Sequence, residues 1–221
     1  WPMKRKSPST GKQEISDYQL KITLSDIKPA IWRQVRVRGD IPLGLLHAVI
    51  QVAMGWTNSH LHHFRIGERY YSDPAFGLDE YNEQAPTLDE NQAILRDVAR
   101  HKGDAFEYLY DFGDSWEHIV RVEKIQPADP DRKAFAECIG GARACPPEDC
   151  GGVPGYEDLL ETLKHPKRAA YREMIEWLGG SFDPEAFDLD KTNRTLRKLK
   201  WPRTTIPELG RVLLQRPRAR A

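Results

Sequence analysis

Two aromatic and β-branched runs, Phe106 to Phe112 and Trp116 to Ile125, are separated by Gly113-Asp114, and this arrangement constrains the fold more than any other feature of the chain. Tyr, Phe, Trp, Ile and Val suit the half-buried surface of a sheet, whereas Gly and Asp supply tight-turn geometry. The pattern predicts a hairpin at the centre of a sheet. Around its turn, Asp111-Phe112-Gly113-Asp114-Ser115-Trp116-Glu117-His118 brings the Asp111 and Asp114 carboxylates near the Trp116 indole and the His118 imidazole. Side chains two apart on a strand share a face, so Trp116 and His118 are expected side by side. His118 is suited to be a base or a metal ligand there, with a carboxylate fixing its tautomer. The same residue types also serve plain turn geometry and a structural, hydrogen-bonded histidine.

Other segments fill in an α+β plan. Tyr18, Leu20, Ile22 and Leu24 alternate with polar residues, and Ile31, Val35 and Val37 follow the Ser25-Asp26-Ile27-Lys28-Pro29 turn, which predicts an opening hairpin. Leu46, Val49, Ile50, Ala53 and Met54 fall at helical spacing, with Pro42 at the entrance and Gly55 at the exit. A short hairpin is expected from His63-Phe64-Arg65-Ile66 and Arg69-Tyr70-Tyr71, then loop to about Gln92. Ala93 to Ala99 fits either a strand followed by a helical turn or one helix, and Pro127 to Pro154 reads as a long loop, functional or pinned by something. Beyond it, leucine and aromatic spacing predicts helices through Tyr156–Leu163 and Tyr171–Leu178 and one capped by Asp190. Strands first and helices later favour α+β over a doubly wound sheet, with a helical C-terminal third packed on a mixed sheet.

The 221 residues suit one domain, and 39% hydrophobic residues with six Trp, eight Tyr and seven Phe exclude a disordered chain. No apolar run has the length of a membrane span, the start lacks the apolar stretch of a signal peptide, and three cysteines make no disulfide framework, so the expected location is cytoplasmic. The net charge is zero but unevenly distributed: residues 1–12 carry four bases and no acid, and residues 191–221 carry ten bases and one acid, Glu208. Residues 1–15 read as a disordered basic leader, 16–199 as the domain and 200–221 as a basic extension. Basic ends can contact nucleic acid through phosphates, and they can equally be solvated or fold onto an acidic body.

Two further groups could hold a metal. His60 and His62, in His60-Leu61-His62-His63, would project to one side of an extended segment at a spacing zinc could use, given further ligands such as Asp114 or His118. Cys138, Cys145 and Cys150 lack the short knuckle spacing of structural zinc sites, which leaves a three-cysteine site with a histidine as an alternative to buried thiols under a Pro-stiffened loop. Asp111-Phe112-Gly113 matches a kinase tripeptide, but no glycine-rich phosphate loop or His-Arg-Asp loop accompanies it. Walker, dinucleotide, serine-elbow and His-Glu-x-x-His patterns are also absent.

Taken in order, Gly55-Trp56, His60-Leu61-His62-x-Phe64, Tyr110-Asp111-Phe112-Gly113-Asp114-x-Trp116-x-His118, Cys145-Pro146-Pro147-Glu148-Asp149-Cys150-Gly151-Gly152, Gly155-Tyr156 and Phe182-Asp183-Pro184 resemble the plasmid pRiA4b ORF-3-like family, also called insertion-element passenger TnpR-like proteins. The resemblance spans about Tyr18 to Leu199. It implies a single α+β domain with a β-grasp-like opening, often encoded near mobile elements, and no established activity. A serine recombinase needs a nucleophilic serine in an arginine-rich pocket, and nothing in the chain reproduces one.

The expected role is a non-enzymatic binding or adaptor domain for a protein or small-molecule ligand, with Trp56, His60, His62, Asp111, Asp114, Trp116 and His118 as its candidate surface. The alternatives are a metal-dependent hydrolase-like enzyme using those His and Asp residues around a divalent ion such as zinc, and a nucleic-acid-binding accessory protein acting through the basic ends.

Overall fold

Strand alternation dominates the architecture. In the computed structural model, which describes residues 15–78 and 86–201, the described strands form one eight-stranded sheet. In chain order these are β1 (Ser16–Leu24), β2 (Trp32–Arg38), β3 (His62–Ile66), β4 (Arg69–Ser72), β5 (Thr87–Asp89), β6 (Ala105–Tyr110), β7 (Trp116–Pro127) and β8 (Ala136–Ala142). Their spatial order is β5-β4-β3-β6-β7-β1-β2-β8, antiparallel throughout except for the parallel β4–β5 pair. The hairpin expected from Phe106 onward is β6–β7, near the middle of the sheet, with Tyr110 opposite Trp116 beside the turn.

One sheet face carries the core: Leu20 and Ile22 from β1, Val35 and Val37 from β2, Phe64 from β3, Tyr108 and Tyr110 from β6, and Trp116, Val120 and Val122 from β7 are all buried. Helix α1 (Leu43–Met54) belongs to the same core through Leu45, Leu46, Val49, Ile50 and Ala53, and its His47 and Gln51 reach the Tyr108 hydroxyl at 2.8 and 2.9 Å. The residues between the inward positions face away. On that side Arg65 pairs with Glu107 at 2.5 Å.

Arg33 breaks the apolar alternation of β2, being 2% exposed. Its guanidinium donates to the carbonyls of Ala53 (2.7 Å), Trp32 (2.8 Å), Ala142 (2.9 Å) and Arg143 (2.8 Å), and rests 4.2 Å from the Phe187 ring centre. A buried cation is tolerable only when its donors are so occupied. Here it ties the end of α1 to β8.

Several elements depart from the sequence-based expectation. The stretch before Gln92 contains β5, and the supposed loop from Pro127 to Pro154 contains β8. β5 has only three residues, and β8 includes Gly140-Gly141, so neither has the run of branched or aromatic residues that marks a strand. Ala93 to Ala99 resolves into an isolated bridge, Ile94 to Pro42, and a single helical turn, α2 (Leu95–Val98). After β8 come α3 (Gly152–Leu163), α4 (Ala169–Trp177) and α5 (Leu189–Leu196). Asp188 rather than Asp190 caps α5, its Oδ1 accepting from Lys191 N at 2.7 Å.

β8 ends the sheet, and an edge strand presents unpaired backbone groups. The Asn193 amide of α5 meets two of them: Cys138 N donates to its Oδ1 at 2.9 Å, and its Nδ2 donates to Cys138 O at 2.8 Å. Among the described residues no helix is long and apolar enough to cross a membrane. Apart from Ile15, Lys200 and Trp201, the basic leader and the basic extension lie outside the described residues.

Candidate metal centre

The turn between β6 and β7 is held by Asp111. Its Oδ1 accepts from Gly113 N at 2.9 Å and Asp114 N at 3.3 Å, while its backbone takes the left-handed φ of 57° that Asp tolerates better than most residues. The other oxygen, Oδ2, has no hydrogen-bond donor among the described residues, although Asp111 is only 5% exposed. The Cys145–Gly155 loop docks against this turn. Gly151 N donates to Asp114 Oδ2 at 3.2 Å, and Trp56 Nε1 donates to Pro146 O at 3.1 Å. Two glycines make the approach feasible: a Cβ on Gly152 would lie 2.6 Å from the Asp114 carbonyl oxygen, and one on Gly155 would overlap the Cys150 carbonyl outright.

Docking of that loop brings Glu148 and Asp149 to His60. The His60 Nε2 is buried, has no hydrogen-bond partner among the described residues, and lies 3.3 Å from Asp149 Oδ1, 3.6 Å from Asp111 Oδ2 and 3.7 Å from Glu148 Oε2. Ligand atoms of His60, Asp111 and Asp149 all fall within 4.8 Å of one another. Among the described residues no Lys or Arg pairs with any of these three carboxylates. Thr57 holds Glu148 Oε1 through its backbone N (2.8 Å) and hydroxyl (3.0 Å), and the Tyr110 hydroxyl lies 3.1 Å from both Glu148 oxygens. Asp111 and Glu148 therefore each turn one oxygen toward the same imidazole nitrogen, Asp111 Oδ2 without a donor among the described residues and Glu148 Oε2 shared with the Tyr110 hydroxyl.

His62 goes elsewhere. Its Nε2 is 2.9 Å from Glu90 Oε2, and its ring stacks on His47 with centroids 3.4 Å apart and planes 3° from parallel. His47 in turn joins the Tyr108 hydroxyl and Asn58 Oδ1, both at 2.8 Å. Burial holds His47 and His62 down to about 3 and pushes the Glu90 carboxyl up to about 7, since low-polarity surroundings disfavour each charged form. At neutral pH the imidazoles are uncharged.

The expected shared face of Trp116 and His118 points inward. Both are fully buried and His62 is 2% exposed, so these three form interior structure rather than a surface for a partner, while Trp56 is 7% exposed. The reason is the two-residue period of β7, which turns Trp116, His118, Val120 and Val122 toward the core and Glu117, Ile119 and Arg121 outward. His118 Nδ1 lies 3.1 Å from the Tyr108 carbonyl, and burial depresses its pKa to about 4. Asp114 serves the loop contact. Cys138, Cys145 and Cys150 are free thiols and take no part in the converging group; burial raises all three thiol pKa values, Cys150 to about 12.

His60 and Asp111 were thus legible as candidates, whereas Asp149, Glu148, His47 and Glu90 were not. The one signal for Glu148 and Asp149 was the density of Pro, Gly and acid in their loop.

The fold and this cluster define an α+β protein that gathers one imidazole and three carboxylates at the tip of its central hairpin. The chain belongs to the plasmid pRiA4b ORF-3-like protein family, whose model matches residues 16–191. It is 38% identical over 190 residues to the uncharacterized protein y4hQ of Sinorhizobium fredii (strain NBRC 101917 / NGR234), covering 84% of this chain and 94% of that one. The crystal structure of MM3350 from Methanosarcina mazei Go1, described as a protein of unknown function, is similar with a TM-score of 0.72 at 35% identity, covering 81% of this chain and 97% of its own.

Proposed function

We propose that this protein is a divalent-cation-binding domain in which His60, Asp111 and Asp149 are the ligands and zinc is the ion they suit best. The observation that carries the reading is the buried, partnerless His60 Nε2 with three carboxylate oxygens 3.3 to 3.7 Å away. Bonds of roughly 2.0–2.2 Å to a tetrahedral ion hold neighbouring ligand atoms about 3.3–3.6 Å apart. Three carboxylates without a Lys or Arg partner repel one another, and a divalent ion relieves that repulsion. One imidazole with carboxylates suits zinc better than calcium or magnesium, which prefer all-oxygen shells.

Of the roles expected from the sequence, binding is the one this geometry favours, and an adaptor function would act through the ion and the adjoining loop. The nucleic-acid role depends largely on residues outside those described. A cytoplasmic location and mobile-element association remain part of the proposal on the sequence arguments alone, and the β-grasp-like description rests on β1 and β2 followed by α1 against the sheet.

Calorimetric titration of the metal-free protein with zinc tests the reading. One ion per chain is expected at micromolar affinity or better, with loss of binding in His60→Ala. Equal zinc binding by that variant would exclude the assignment.

A further inference from the structure

Glu148 stands apart from the three ligand residues. Its Oε2 is 3.7 Å from His60 Nε2, yet it is outside the set whose ligand atoms all approach within 4.8 Å of one another. On the cation reading it would flank the ion position rather than supply a fourth ligand. Zinc centres closed by four protein ligands are structural, whereas three protein ligands leave a position for water or substrate. Glu148 also lines a cleft of about 600 Å³ whose walls include Met54, Trp56, Pro147, Phe182 and Phe187. That is the size of a small-ligand site, and its walls mix these apolar side chains with Glu148, Asp188 and Lys191. The Asp149 side chain is 73% exposed, so this ligand residue lies at the protein surface.

We infer that the centre is hydrolytic, an inference that rests on the cation reading above: the ion at His60, Asp111 and Asp149 carries an exchangeable water beside Glu148, and the cleft takes the apolar part of a carboxylic ester or amide. Glu148 accepts a proton from the ion-bound water as the water oxygen bonds to the substrate carbonyl carbon. The former carbonyl oxygen gathers negative charge, which the ion stabilises. Collapse of this adduct breaks the bond to the alcohol or amine, which departs with the proton held by Glu148. One water is consumed, an acid and an alcohol or amine are released, the acid's own proton passes to solvent, and nothing is oxidised or reduced. Thr57 holds only Glu148 Oε1, and Oε2, which shares the Tyr110 hydroxyl, is the oxygen nearer His60 and the one assigned to the proton.

The test uses the zinc-loaded full chain, p-nitrophenyl butyrate as probe, and Glu148→Gln, which keeps the oxygen that Thr57 holds. Zinc-dependent, saturable hydrolysis is expected, falling at least about 100-fold in the variant while zinc stoichiometry stays at one. Cobalt-loaded protein provides a second readout, because acetohydroxamate should enter the open position and change the visible spectrum in both forms. Wild-type protein that hydrolyses the ester no faster than Glu148→Gln, or a cobalt spectrum indifferent to acetohydroxamate, overturns the inference. Failure to take up either ion overturns the cation reading itself, and this inference with it.

Discussion

Asp111 Oδ2 lies 3.6 Å from His60 Nε2 although neither atom has a hydrogen-bond partner among the described residues, and the two are brought together by different elements. Asp111 belongs to the turn after β6, and His60 to the segment between α1 and β3. Their approach follows from sheet pairing: β3 runs beside β6 with His62 opposite Tyr110, and Asp111 N donates to Leu61 O at 2.9 Å. Asp111→Asn should therefore separate the ion from the fold. Asparagine keeps the turn's acceptor and tolerates the φ of 57°, so stability should change by less than about 1 kcal/mol while zinc affinity falls on the order of 100-fold. Paired denaturation and zinc titration check this; an unaltered affinity contradicts it.

The buried imidazoles predict an acid-sensitive fold. His47, His62 and His118 are held at about 3, 3 and 4 in the native state, below the ordinary 6.5, so unfolding lets them bind protons the native state refuses. Their stabilisation is complete above about pH 6.5 and is lost as pH falls toward those native values. Glu90 acts oppositely: raised from 4.5 to about 7, its contribution is greatest below about 4.5 and fades as pH rises through 7. Between pH 6.5 and 4.5 three histidines outweigh one carboxyl. Stability should drop by on the order of a few kcal/mol from pH 7 to pH 5. Urea denaturation at the two values measures it, and constant or greater stability at pH 5 would refute the charge assignment.

Gly155 sets how closely the Glu148–Asp149 loop lies on itself and on the turn. A Cβ there overlaps the Cys150 carbonyl, a backbone atom that cannot swing aside. Gly155→Ala is expected to cost about 1–3 kcal/mol and to weaken zinc binding with it, because the loop carries a ligand. Thermal denaturation and zinc titration of the variant are the check. Wild-type values in both would mean that the loop tolerates the added atom.

Asn193 acts as the outer partner of β8. Replacing it with Leu leaves Cys138 N and O without the amide they use, at a cost of about 1–3 kcal/mol, and uncovers a sheet edge. Lower stability with concentration-dependent association in light scattering is expected. A monomeric variant of unchanged stability would show that α5 covers the edge without this side chain.

The parts of the fold legible in the sequence are those with a clear period or turn signal: β1, β2, α1, the β3–β4 and β6–β7 hairpins, and helices α3 and α4. β5, of three residues, and β8, interrupted by Gly140-Gly141, were hidden because edge strands need little propensity once a neighbour supplies the pairing. The site was half legible for a different reason. Period-two alternation correctly put Trp116 and His118 on one face, but which face turns inward depends on where α1 lies. Separation of His60 from His62 likewise follows from strand boundaries: His62 is the first residue of β3 and enters the core, whereas His60 precedes the strand and reaches the turn. Glu148 and Asp149 reach the same point from more than thirty residues further along, through a glycine-dependent contact that no local spacing encodes.

Crystals grown with zinc, with anomalous scattering measured on both sides of the zinc edge, show whether an ion sits at His60, Asp111 and Asp149. One strong peak per chain is expected, bonded to His60 Nε2 and to one oxygen each of Asp111 and Asp149 at roughly 2.0–2.2 Å. No peak at that point, or zinc bound instead at Cys138, Cys145 or Cys150, would contradict the cation reading.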